Sequence, residues 1–150
     1  HKDGPSYGVF LALMRRHGFF LHASSNLKSI GSTEGNCDKE GFTGSSNIKP
    51  YYSGETRHTN YTLTAGAIHH ITHGVCLFEG VGYGKSATAW QLSESEGKSY
   101  LMNDGLSEKG ITAELGALAS FGKLSITASA ITIAGKQWQG CIGIGIKLGK

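Results

Sequence analysis

A chain of 150 residues with a formal net charge of +3, 23 glycines, only 2 prolines and a mean hydropathy of −0.18 is long enough for one domain with a sizeable core. No run approaches the ~18 apolar residues of a membrane helix, so any membrane crossing would have to be made by strands. The modest charge forms no basic stripe, which argues against nucleic acid as a partner. The 3 cysteines have neither paired spacing nor a CxxC motif, which argues against a disulfide framework or a thiol metal centre.

In chain order, a period of two predicts strands over 6–14, 18–26, 58–71, 75–90, 110–120, 124–133 and 137–148. Arg15-Arg16-His17-Gly18, Thr72-His73-Gly74 and Phe121-Gly122-Lys123 read as tight turns, and Ala134-Gly135 as a short loop. The stretches 27–57 and 91–109 are polar and rich in Gly, Ser, Asn, Asp and Lys, and read as long solvated loops, with Lys49, Tyr51, Tyr52 and Tyr100 as the side chains able to meet a ligand. Within the first, Asn47 to Tyr52 offers an irregular strand that Pro50 disfavours. The chain is therefore expected to be all-β. Short turns on one rim and long loops on the other are the layout of an antiparallel up-and-down transmembrane β-barrel. Single-chain bacterial barrels have even strand numbers, so eight strands are expected, seven visible and the first missing.

Parity sorts the side chains onto two faces. One collects Tyr7, Val9, Leu11, Leu13, Phe19, Leu21, Leu63, Ala65, Ala67, Leu77, Val81, Tyr83, Leu115, Ile142, Ile144 and Ile146. The other holds His22, Ser24, Asn26, Asn60, Thr62, Thr64, Glu114, Ser125, Thr127, Ser129, Gln139 and Lys147. A soluble sandwich would bury the first set and a membrane barrel the second. Gly8, Gly66, Gly80, Gly82, Gly84, Gly116, Gly143 and Gly145 all fall on the polar face, where glycine makes room inside a narrow barrel but only weakens a solvated strand. The glycines favour the barrel.

Tyr7-Gly8-Val9 with its Arg15-Arg16-His17-Gly18 turn, Val81-Gly82-Tyr83-Gly84, Phe121-Gly122-Lys123 and Ile142-Gly143-Ile144-Gly145 resemble the small porin-like outer-membrane barrels of Bacteroidetes-type bacteria, and broadly the OmpA transmembrane domain. The resemblance implies an outer-membrane protein with its long loops outward and its C-terminus periplasmic. Its motifs specify architecture rather than chemistry. The chain ends Leu148-Gly149-Lys150, where such barrels end on an aromatic residue.

Two groups of residues stand out. His22, Glu114 and Lys147 are expected to form a polar network in an interior too narrow for an open pore. His69 and Glu79 break the apolar outer face. The Thr72-His73-Gly74 turn sets Glu79 opposite Ala67 and diagonal to His69, and with Ala65 and Ala67 this wall is read as an interface to a larger outer-membrane assembly. Pairing of the two, or snorkelling toward the rim, is the plainer explanation. A lipid-modifying triad lacks a serine beside His69, and the Ser24 of His22-Ala23-Ser24 points inward. In His69-His70-Ile71-Thr72-His73, adjacent histidines point to opposite faces, so no metal or other cofactor is expected. The expected role is a structural or accessory subunit, non-catalytic, in contact with membrane lipid. A free-standing surface barrel whose outer loops bind a ligand or host molecule is the competing reading.

Overall fold

The computed structural model describes residues 6–14, 16–94 and 97–146, with the side chains of 94, 97 and 98 left aside. Arg15, Lys147 and the terminal Leu148-Gly149-Lys150 lie outside the described residues. The ten strands are β1 (Tyr7–Met14), β2 (His17–Ser25), β3 (Gly35–Cys37), β4 (Phe42–Thr43), β5 (Ser46–Asn47), β6 (Tyr52–Thr72), β7 (Val75–Glu94), β8 (Gly97–Phe121), β9 (Leu124–Ile133) and β10 (Gln137–Ile146). Seven of them form one antiparallel path in the order β1-β2-β6-β7-β8-β9-β10. The sheet curls into a half-barrel. Its edges, β1 and β10, approach each other, but among the described residues no ladder joins them.

All seven long strands appear where alternation places them. The two parity sets fall on opposite faces of this curled sheet. The convex face is apolar and exposed, with Leu13 at 83%, Ile142 at 82% and Ile144 at 79%. The concave face buries the polar set, with Thr64 at 1%, Thr112 at 0% and Glu114 at 3%. Tight turns at 73–74 and 122–123 share one rim with the β1–β2 turn, and the long connections leave from the other.

Near the turn rim, the concave space is filled by Phe10, Phe20 and Phe78, whose ring centres lie 4.9–5.2 Å apart, with Ile68, Cys76, Leu118 and Met14 around them. Glycine makes this packing possible. A Cβ at Gly80 would stand 2.6 Å from the Phe20 ring and one at Gly116 2.3 Å from the Phe78 ring, inside any allowed contact. Large rings on one strand therefore sit over bare backbone on another, which a tightly curled sheet requires.

The long connections depart from expectation. Segment 91–109 is not a loop, because β7 and β8 remain paired to Glu94 and Gly97, broken only by an irregularity between Ser86 and Thr88. β6 likewise begins at Tyr52 rather than 58. Segment 27–57 is not a bare solvated rim either. It adds β3 in parallel to β8 at Leu101–Asn103, the small β4–β5 hairpin and a 3₁₀ turn at Lys49–Tyr51, which starts on Pro50's stretch. Both faces of the β7–β8 ribbon are thereby covered, so every residue from Ser86 to Leu92 is buried. One side packs Cys37, Trp90, Leu92 and Leu101 with Ile48 and Tyr52, and the other packs Ile30, Ala87 and Ala89 with Tyr100 and Met102. Tyr52 stacks on Trp90 at 4.7 Å, and Arg57 lies 3.9 Å over the Tyr100 ring. Burial, and then the Asp38 and Asp104 carboxylates, push the Cys37 thiol up.

The glycine–aromatic fit gives a direct check. Gly116→Ala, whose Cβ meets Phe78 and the Ala128 carbonyl, lowers unfolding free energy by about 1–3 kcal/mol through overpacking. Gly140→Ala, with nothing within 4 Å of its Cβ, leaves it within about 0.5 kcal/mol. Urea unfolding of the purified protein measures both.

Candidate functional site

Two polar clusters stand on opposite faces of the half-barrel. On the concave face, strand alternation turns His22 of β2, Thr64 of β6, Glu114 of β8 and Ser129 of β9 inward to one point. His22 Nδ1 lies 2.7 Å from Glu114 Oε1, and both side chains are almost fully buried. Thr64 donates to Glu114 Oε2, and Ser129 donates to Oε1 at 2.7 Å. The carboxylate thus takes three partners from three strands, the condition under which a buried charge is tolerable. A second set sits closer to the loop rim: Ser24 and Thr62 hydroxyls lie 2.7 Å apart, and Gln139 of β10 donates to Ser24 at 3.4 Å. Asn26 and Asn60 continue this set, with the Asn26 amide N–H donating to Asn60 Oδ1 at 2.9 Å.

These bonds cross the concave space. His22 and Glu114 belong to strands separated in the sheet by β6 and β7, so their contact braces the curl rather than a neighbouring pair. Gln139 similarly links the β10 edge to β2. Lys147, assigned to the same network from sequence, lies outside the described residues. Ser24 is bonded to Thr62 and Gln139, and among the described residues no serine hydroxyl is bonded to His22, while the Ser129 hydroxyl is on the Glu114 side of the pair.

On the convex face, β6 and β7 place Glu79 directly opposite Ala67, and the His69 Nε2 to Glu79 Oε1 distance is 3.9 Å. Their side chains are 39% and 68% exposed, so the attraction between them is small. Ala65 is exposed and Ala67 partly so, on the same strand. The third member was not read from sequence. His17, the first residue of β2, is in register with His69, and their Nδ1 atoms are 3.0 Å apart with the rings at 68° to each other. From sequence, His17 belongs to the Arg15-Arg16-His17-Gly18 turn. Its signal was register: once β2 pairs with β6, His17 falls opposite His69.

Among the described residues, no group of three or more His, Cys, Asp or Glu side chains converges to hold a metal ion. His70 lies on the opposite parity from His69, and its amide donates to the Arg16 carbonyl at 3.2 Å.

Removing the carboxylate from the inner cluster takes a partner from buried His22 and Thr64 and from half-buried Ser129. Glu114→Ala therefore lowers stability by about 3–5 kcal/mol, and replacing Glu114 and His22 together by Leu recovers part of that loss. Urea titration of the two variants checks the difference. Comparison with known proteins gives no match to any family model, curated protein or solved structure.

Proposed function

We propose that this chain is a small porin-like outer-membrane β-barrel protein of the OmpA-like, Bacteroidetes type, acting as a non-catalytic accessory subunit of a larger outer-membrane assembly, with its long connections outward and its C-terminus periplasmic. The observation that carries the membrane part is the inverted sheet: a continuous apolar convex face against a buried polar concave one. Exposed apolar surface of that extent is stable against lipid and a liability in water. Its aromatic residues add support. Tyr7 and Tyr61 share a ladder row through Ser25, Tyr83 lies one outward position nearer the turns, and Trp138 opens β10 at the same rim. One row above Tyr83 the outward positions become Lys85 and Lys109, paired across β7 and β8. Tyr61 is itself paired with Lys85, so Tyr and Lys share this band, the mixture of anchors found where hydrocarbon meets headgroups.

The edges suit eight strands. Because seven strands alternate in direction, β1 and β10 run the same way, and one further antiparallel strand would pair with both. Closure is needed in lipid, where an unpaired ladder edge has no water to bond. With the concave space filled by rings and hydrogen-bonded side chains, such a barrel is a packed body without an open pore.

The subunit reading rests on Glu79, which sits midway along the outward positions Val75 to Tyr83. A carboxylate facing hydrocarbon there costs on the order of 2 kcal/mol, and a protein partner over Ala65, Ala67, His69 and Glu79 would offset it. In mild detergent extracts of the native membrane, the protein is expected to co-migrate on native sizing with a larger assembly identified by mass spectrometry. Changing His69 and Glu79 together to Leu releases it as a monomer. A heat-modifiable monomer in both cases contradicts the subunit reading and favours the ligand-binding surface barrel.

A further inference from the structure

The His17–His69 pair has a geometry that the subunit reading does not use. Two exposed imidazoles meet Nδ1 to Nδ1 at 3.0 Å, an arrangement that neutral rings sustain only if one carries its proton on Nδ1 and the other leaves Nδ1 bare. The Glu79 carboxylate lies 3.9 Å from His69 Nε2, beyond hydrogen-bond distance, and sets a weak bias. It favours the proton of His69 on Nε2, so His69 Nδ1 is the bare acceptor and His17 the donor. A carboxylate on the far side of the ring from the nitrogen that would ligate is one way a histidine is oriented toward a metal ion.

The spacing suits one ion between the rings. A zinc ion lies about 2.0–2.1 Å from an imidazole nitrogen, hence roughly 3.2 Å from the ring centre. Two rings with centres 5.2 Å apart then subtend close to a tetrahedral angle at that ion. Small rotations about the side-chain bonds would turn both Nδ1 atoms from each other toward it. We infer that His17 and His69 form a two-histidine site for a zinc-class divalent cation at the turn rim of the convex face, with Glu79 as the positioning carboxylate. Binding moves the proton of His17 from Nδ1 to its free Nε2, while His69 keeps its own on Nε2 toward Glu79, so no proton need be released. Two coordination positions remain for water or an outside ligand, consistent with the absence of a third protein ligand among the described residues.

The test is calorimetric titration of the purified, detergent-solubilised chain with zinc chloride, which needs no partner and therefore reads the site apart from the subunit proposal. One zinc per chain is expected. His17→Ala and His69→Ala should each weaken binding by tenfold or more, and Glu79→Gln by about tenfold. His73→Ala, at the exposed turn, should leave it unchanged, and circular dichroism of each variant should show the native strand signal. No zinc uptake by the unaltered chain, or uptake that persists in the His17→Ala/His69→Ala double variant, would overturn the site.

Discussion

Everything in this fold depends on which way the pleat faces. A strand has two faces, and a strictly alternating sequence commits one to the interior. Here the polar one is turned in, with His22, Thr62, Thr64, Thr112 and Glu114 buried while Leu13, Ile142 and Ile144 stand exposed. That inversion sets two demands at once. The concave face must satisfy its own polar groups, and the convex face carries exposed apolar side chains, which on the membrane reading meet lipid or a partner.

The first demand is met inside the chain. Glu114 is held by His22, Thr64 and Ser129, and Gln139 reaches Ser24 from the far edge of the sheet. The His22–Glu114, Thr64–Glu114 and Gln139–Ser24 contacts join strands that are not neighbours in the ladder, so they brace the curl in a way backbone pairing alone does not. The glycines serve the same end on the same concave face. Phe20 over Gly80 and Phe78 over Gly116 let three rings pack where a Cβ would collide. Polar satisfaction and ring packing are thus two layers filling one concave space.

Much of this was legible in the residues. The seven long strands follow from alternation, and the Glu79–Ala67 register follows from the tight turn between β6 and β7. What failed to show had physical reasons. From Ser86 to Leu92 both faces of the ribbon are covered, so alternation carries no contrast there, and buried Ser99 and Asn103 give the next segment a loop-like composition. The parallel pairing of Gly35–Cys37 with Leu101–Asn103 is a contact between distant segments that no local pattern encodes. His17 was hidden in the same way, since its meaning comes from β6, 52 positions along the chain.

The most direct measurement of the membrane claim uses the chain's two tryptophans. Trp138 stands on the convex face, 72% exposed, and Trp90 is buried in the lobe above at 8%. In vesicles containing lipids brominated along the acyl chain, Trp138 fluorescence should be strongly quenched and Trp90 should not, so a Trp138→Phe variant loses the quenchable signal. Trp138 emission untouched by brominated lipid but quenched by aqueous iodide would contradict a lipid-facing convex sheet.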